Sequence, residues 1–292
     1  MILPSQELCY LCSAPVFLRC PATTKPEEES YAITENRTGK HGNLYACPNC
    51  GLWMLPKAER DAFAAIPSKP DPAYLEEEAG RRRTSRRVLK RIEKLVPKGK
   101  LLDLGSAAGF FLDEAKSRGW EAKGIEFSSW SKNYAEEHFG LTIYDRPLEK
   151  LNWPKESFDA VTMLDVIEHV TEPRQVLSEV KKILKPKGVF VITTPNIDSL
   201  AAKLTKEKWY AILPGHLFYL SSKTLEAILL EIGFRVVEKK NHTRYFSLAY
   251  FFYRLGGYLS FMEKLGKARF LKNVMLPLNF FDQLEWYVKK NG

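Results

Sequence analysis

Four of the five cysteines form two C-x-x-C pairs, Cys9 with Cys12 and Cys47 with Cys50. The second lies in "YACPNCG", where Pro48 and Gly51 supply a tight turn that aims both thiolates at one ion. Four thiolates set tetrahedrally satisfy zinc and leave no position for water. The spacing therefore predicts a structural zinc ribbon over residues 5 to 56 and argues against a catalytic zinc. Cys20 stands outside both pairs and is expected to be a packed or exposed thiol. With every cysteine inside the first 50 residues, a disulfide framework for the whole chain is not expected. Substrate docking, oligomer contact and plain support all remain open as the ribbon's role.

A second set of residues lies in "LLDLGSAAGFF", residues 101 to 111, where apolar residues run into Asp103 and then into a bend with almost no side chains. Gly105-x-Ala107-x-Gly109-Phe110 departs from G-x-G-x-x-G, the pyrophosphate fingerprint, at its third position. An acid two residues before the first glycine is poorly placed beside phosphate but suits a cationic amino group. Glu126 ends the next apolar segment, where an acid accepts both hydroxyls of a ribose. A nucleoside with an amino-acid tail and no phosphate answers both demands, and S-adenosylmethionine is such a molecule.

The third set is "LDVIEHV" with "PGHLFYLS" further on. His169 titrates near neutral pH and is the first candidate general base, with His216 next. Asp165, Glu168, His169 and His216 together also suit a second divalent ion, magnesium, manganese or zinc, that lowers the pKa of a bound hydroxyl. A purely structural role is the remaining alternative.

These residues need elements to hold them. "IPSKPDP", residues 66 to 72, reads as a linker, and "AYLEEEAGRRRTSRRVLKRIEKLV" as a helix ending at Pro97. Its Arg81, Arg82, Arg83, Arg86 and Arg87 are expected to form a solvated face in preference to a phosphate site. From Lys100 onward strands and helices alternate: "KLLDLG", "FFLDEAKSRG", "EAKGIEF", "SWSKNYAEEHFG", "LTIY", "FDAVTMLDV", "PRQVLSEVKKILK", "GVFVITTP". The strands are nearly continuous in Val, Ile and Leu, while Val176, Leu177, Val180, Ile183 and Leu184 recur at helical spacing, which predicts a parallel sheet wrapped by helices. After a looser stretch come the helix "KTLEAILLEIG", capped by Ser221 and ended by Gly233, the strand "FRVVEKK" and a closing strand "FDQLEWYVKK". The expected division is a zinc ribbon at 1–60, a linker and helix at 61–98, and an α/β domain at 99–292 with an apolar insertion at 241–279.

The 292 residues, 45% hydrophobic, suffice for one full-size domain and a small one. A net charge of +9 suits an anionic partner, whether RNA, an acidic membrane surface or a phosphorylated substrate, without choosing among them. No basic-then-apolar signal opens the sequence, so a cytoplasmic location is expected. "YFSLAYFFYRLGGYLSFM", residues 245 to 262, is apolar, but Arg254 and Gly256–Gly257 argue against a membrane span. A helical lid is expected, with Arg244, Lys264, Lys267 and Arg269 around it able to touch an anionic bilayer; core packing is the alternative.

Together "LLDLGSAAGFF", "GIEFS", "SFDAVTMLDVIEHVTEPRQVLSEVKKILKPKGVFVITTPN" and "HLFYLSSKTLEAILLEIGF", spread over residues 100 to 240, resemble the class I S-adenosylmethionine-dependent methyltransferases. The similarity is greatest to the small-molecule group that includes the ubiquinone-biosynthesis and many sugar and polyketide methyltransferases. It implies a Rossmann-like, seven-stranded fold beside the zinc ribbon. It also implies that Asp103, Gly105, Ala107 and Gly109 line the methionine end of S-adenosylmethionine, that Glu126 holds the ribose and Leu148 lies near the adenine, and that Asp165 faces the methionine amino group or the acceptor. Asp165-x-x-Glu168-His169 with His216 resembles the array by which some ubiquinone O-methyltransferases and small-RNA 2′-O-methyltransferases bind a divalent ion, Asp165 being shorter than their glutamate.

Two departures stand out. Ala107 replaces the usual middle glycine, at a cost of about 1 kcal/mol if φ is positive there. Pro147 replaces an aspartate that contacts the adenine in many members. The implied reaction is O-methylation of a small molecule: a quinone precursor, a sugar or a lipid-linked acceptor. The alternatives are an RNA methyltransferase, less expected because no N-P-P-Y-like tetrapeptide follows the fourth strand, and a non-catalytic cofactor-binding scaffold. The oligomeric state is left open.

Overall fold

The computed structural model describes residues 7–29, 34, 37–255 and 269–291. Three short strands open it: β1 (Phe17–Cys20), β2 (Leu44–Ala46) and β3 (Trp53–Met54). Helices α1 (Lys57–Ala64), α2 (Pro72–Glu76) and α3 (Glu78–Leu95) follow. The alternating region is β4 (Lys100–Leu104), α4 (Phe110–Ser117), β5 (Glu121–Ile125), α5 (Ser129–Phe139), β6 (Thr142–Tyr144), β7 (Phe158–Leu164), α6 (Pro173–Ile183) and β8 (Leu184–Pro195). Next are α7 (Leu200–Thr205), β9 (Phe218–Tyr219), α8 (Ser222–Ile232), β10 (Phe234–Asn241), β11 (Arg244–Ser247), α9 (Leu248–Leu255), β12 (Met275–Leu278) and β13 (Gln283–Lys290).

Seven strands form one sheet in the order β10-β13-β8-β7-β4-β5-β6, parallel from β6 to β8, with β13 running antiparallel between β8 and β10. Alternate residues face opposite layers. Leu101, Ala160, Val189, Val191 and Tyr287 pack with Val88, Leu89 and Ile92 of α3 and Leu112 and Ala115 of α4. Leu102, Val161, Phe190, Ile192, Trp286 and Val288 pack with Leu177, Val180 and Ile183 of α6 and Leu225, Ile228 and Leu229 of α8. Burial on both faces explains why these strands read as unbroken apolar runs. The order reverses between β4 and β7, the place where an open parallel sheet leaves a crevice at its carboxyl edge.

The amino-terminal strands complete their sheet with β9, which comes from within the second half of the chain: Trp53 faces Tyr219 and Met54 faces Phe218. Cys9, Val16, Leu44 and Met54 share one core with Trp209, Phe218 and Phe190.

Two elements differ from the sequence reading. The single helix expected over 73–96 breaks at Glu77, whose buried carboxylate accepts hydrogen bonds from the Ser247 backbone N–H (2.8 Å) and hydroxyl (2.5 Å). The expected lid helix starts as a strand, because β11 pairs with β12, and only Leu248–Leu255 is helical among the described residues. Gly256, Gly257, Lys264 and Lys267, and the side chains of Arg254 and Arg269, lie outside the described residues. Among the described residues no helix is long and apolar enough to cross a membrane.

The arginine run is largely spent inside the molecule. Arg82 pairs with Glu78 and Asp113, Arg86 with Glu114, and Arg87 with the buried Glu285, which also accepts from His242 and Tyr287. These pairs fasten α3 to α4 and to β13.

Candidate active site

β4 delivers Asp103 to the crevice, and the turn after it leaves the right-handed region three times in five residues, at Gly105 (φ 74°), Ala107 (φ 46°) and Gly109 (φ 85°). Gly109 caps α4 where a Cβ would stand 2.7 Å from Leu141 and 2.8 Å from Ala135. The N–H groups of Gly105 and Ser106 both donate to the Ile125 carbonyl at the end of β5 (2.8 and 3.0 Å). Glu126 accepts from the Ala107 N–H (2.8 Å) and the Ser128 N–H (2.7 Å), so one carboxylate braces both the turn and the start of α5.

Asp103 is buried and accepts from the Thr162 hydroxyl (2.6 Å). Burial pushes its carboxyl up to about 7 against the Thr162 bond, and the nearby Glu126 charge adds to the rise. Burial raises Glu126 as well, against its backbone bonds. Two acids thus stand at adjacent strand tips, held, among the described residues, by a hydroxyl and by backbone N–H groups. Leu148 is buried in the core at the start of a single 3-10 turn, behind Pro147.

Tyr74 and Arg81 were not singled out as site residues by the sequence. The buried Tyr74 hydroxyl is raised by burial and feels Glu126 and Asp103, while its ring stacks on Phe110 (5.9 Å between centroids) and lies 3.5 Å beneath the Arg81 guanidinium. An aromatic residue about two helical turns before a basic run is the signal the sequence offers for this pair.

Asp165 follows β7 with φ 57° and is near enough to Glu168 for their charges to interact. It accepts from the Thr193 hydroxyl (2.8 Å) and pairs with Arg244 (3.2 Å); Gln283, with its amide nitrogen toward Asp165, donates to the same carboxylate (3.0 Å) and accepts from Arg244 (3.1 Å). Burial would raise Asp165, but Arg244, His242 and Thr193 hold it below the usual carboxylate range. Arg244 also donates to the Tyr210 hydroxyl (3.4 Å), and the neighbouring Trp209 donates from its indole nitrogen to Asp282 (3.1 Å).

Glu168, His169 and His216 converge, each offering a ligand atom within 4.8 Å of the others. Asp165 is not part of this trio, which corrects the four-residue array expected from the sequence: its carboxylate is engaged by Thr193 and Arg244. His169 Nδ1 donates to the Gly215 carbonyl (2.7 Å), which leaves the lone pair of the neutral ring on Nε2. Burial lowers the pKa of His169 and, together with the His169 charge, carries His216 well below its usual value. Glu168 accepts from the Thr194 hydroxyl (3.1 Å) and is pushed up to about 8 by burial and by Asp165. Glu168 Oε1 and His216 Nδ1 are buried with no hydrogen-bond partner among the described residues.

The four paired cysteines also converge. Cys9 and Cys50 sulfurs lie 3.4 Å apart, as do those of Cys12 and Cys47, and all four fall within 4.8 Å of one another. Sulfurs at the corners of a zinc tetrahedron stand about 3.8 Å apart. The hydrogen bond between Cys9 and Cys50 lowers the Cys9 thiol and raises the Cys50 thiol, so the two share one proton between closely spaced sulfurs. Cys20 is a packed thiol beside Glu207, raised to about 11 by burial.

A family model described as a methyltransferase domain matches residues 76–239. The ubiquinone biosynthesis O-methyltransferase of Haemophilus ducreyi is 32% identical over 107 residues, 33% of this chain and 45% of that protein. The mitochondrial ubiquinone biosynthesis O-methyltransferase of Schizosaccharomyces pombe is 29% identical over 113 residues, 36% of this chain and 41% of that protein. The chain thus spans less than half the length of these curated relatives. Two solved structures share the fold. A SAM-dependent methyltransferase from Archaeoglobus fulgidus has a TM-score of 0.51 at 23% identity, over 75% of this chain and 100% of that one. A protein from Pyrococcus horikoshii has a TM-score of 0.51 at 17% identity, over 72% and 90%. With its sheet order, its glycine-and-alanine turn after β4 and a family match over more than half its length, the chain belongs to the class I S-adenosylmethionine-dependent methyltransferases.

Proposed function

We propose that this protein transfers a methyl group to a hydroxyl of a small molecule: a quinone precursor, a sugar or a lipid-linked acceptor. The observation that carries the cofactor side is the acid pair Asp103 and Glu126, both raised by burial, beside a turn too small in side chains to fill the crevice. A ligand with a cationic amino group and a ribose relieves that charge, and S-adenosylmethionine, when bound, supplies an electrophilic methyl. Asp103 faces its amino group, Glu126 its ribose hydroxyls, and Gly105, Ala107 and Gly109 allow close backbone approach. Leu148 flanks the adenine, and Arg81 beside Tyr74 meets the carboxylate.

At the acceptor end, His169 takes the hydroxyl proton on Nε2 while the Gly215 carbonyl holds the ring in that tautomer. Asp165 orients the acceptor through Arg244. A second reading of the same trio is favoured by the two orphaned atoms, Glu168 Oε1 and His216 Nδ1: with His169 they fit a divalent ion, whose chemistry is to acidify the hydroxyl. The four cysteines hold a structural zinc. Contact with an anionic bilayer is proposed for the apolar insertion at 241–279, though not through Arg244, whose guanidinium is held by Asp165.

Calorimetry with S-adenosylmethionine and its demethylated product tests the cofactor side: Asp103→Ala is expected to abolish binding, and an unchanged Kd removes the assignment. Transfer of labelled methyl onto a panel of catechols, hydroxybenzoates and sugars tests the reaction. His169→Ala is expected to slow turnover by about a hundredfold or more with cofactor affinity intact. Activity that requires added metal and fails with chelator selects the divalent reading.

A further inference from the structure

The amino-terminal ribbon and the acceptor-side trio are consecutive links of one hydrogen-bonded chain. Leu55, directly after β3, donates its N–H to the Leu217 carbonyl (3.0 Å), and Leu217 donates its own N–H to the Glu168 carbonyl (2.7 Å). Leu217 sits between His216, a member of the trio, and Phe218, which pairs with Met54 in the ribbon sheet. Gly215, two residues earlier, is the acceptor that fixes the His169 ring. The loop that orders both histidines thus enters the ribbon sheet as its fourth strand.

The cysteine knuckle grips the same strand from the other side. Tyr10, inside Cys9-x-x-Cys12, lays its ring on Phe218 (5.1 Å between centroids) and donates its N–H to the Met54 sulfur (3.4 Å). The buried Arg60 stands over the Phe218 ring (4.9 Å) and donates to the Leu55 carbonyl (2.8 Å). Arg174 of α6 binds the Tyr10 and Leu11 carbonyls (2.5 and 2.7 Å), clamping the knuckle to the helix that follows Glu168 and His169. A two-residue strand cannot hold its register alone; here Tyr10, Met54 and Arg60 hold it.

We propose that the metal-bound ribbon is a positioning element of the active site: it fixes β9 and the loop residues 215–217 before it, and through them His216, His169 and Glu168, with Tyr10 as the positioning residue. The proposal rests on the acceptor-side reading given above. It makes the ribbon neither a substrate-docking module nor a detached appendage. Order at the trio then depends on the cysteines, whereas the Asp103–Glu126 crevice, built on β4 and β5, does not.

Hydrogen–deuterium exchange on the full chain, with and without a zinc chelator, tests it, with zinc release followed by a colorimetric dye. Zinc removal is expected to raise exchange at Leu217 and Tyr219 by about tenfold or more, while Leu102 and Ile125 keep their protection and the Kd for S-adenosylmethionine shifts less than about twofold. If residues 9–54 lose protection and residues 215–219 keep theirs, the proposal fails. Should chelation melt the central sheet, the zinc-loaded Tyr10→Ala variant decides. It is expected to shift the imidazole NMR signals of His169 and His216, and Tyr10→Phe, which keeps the ring on Phe218, to restore them; unmoved signals in Tyr10→Ala overturn the proposal. The catalytic reading is tested apart from this, because full activity in His169→Ala would refute it while leaving the exchange coupling unchanged.

Discussion

Ala107 carries a left-handed backbone, φ 46°, at the one place in the turn where a side chain faces the cost that glycine avoids. Ala107→Gly is therefore expected to raise stability by about 1 kcal/mol in urea unfolding, a gain reduced by the extra freedom of glycine in the unfolded chain. Asp103 yields a pH prediction. Its folded-state value near 7 lies above the ordinary 3.8, so the ligand-free protein loses this contribution to stability as pH rises from about 4 to about 7. A cationic ligand favours the carboxylate, so binding releases a proton near neutrality. Affinity for S-adenosylmethionine should rise from about pH 6 to about pH 8, and Asp103→Asn should flatten the curve; calorimetry in buffers of different ionisation enthalpy counts the proton. The types of these residues were readable in sequence because a carboxylate before a glycine turn has few structural uses. Thr162 and Arg81 were not, because each gains its meaning only from the neighbour it meets in space, Asp103 at 2.6 Å and the Tyr74 ring at 3.5 Å.

At the scale of elements, local chemistry carried most of the boundaries. Ser221 and Thr224 form a reciprocal capping box on α8 and Gly233 ends it with φ 92°, which sequence alone anticipated for both ends of the helix. The close approach of α4 to α5 rests on Gly109: Gly109→Ala places a methyl against Leu141 and Ala135 and is expected to cost about 2 kcal/mol or more in thermal unfolding. The break between α2 and α3 was illegible, since its cause, Ser247 bonding to Glu77, lies 170 residues away. β9 was illegible for the same reason: two residues have no periodicity, and their partner is the ribbon.

The whole molecule turns its charge partly inward. The formal charge of +9 includes Arg82, Arg86 and Arg87, which bond to Asp113, Glu114 and Glu285, so three arginines of the densest basic run are already paired with acids. RNA binding is accordingly expected to be weak, and to lose less than about tenfold between 50 mM and 200 mM salt because few phosphates are neutralised; a steep slope in filter binding would revive the nucleic-acid reading. The sequence by itself determined the parallel sheet, the glycine-and-alanine turn after β4, and the pairing of four cysteines into one cluster. Each is written in residues close together along the chain, where periodicity, turn chemistry and ligand spacing act. Only the tertiary structure decided that Asp165 belongs to Arg244 and not to the trio, that the arginines are spent on acids, and that the ribbon joins the loop bearing His216. Those outcomes depend on which distant charges and strand edges come within a few ångströms, and no local pattern records that distance.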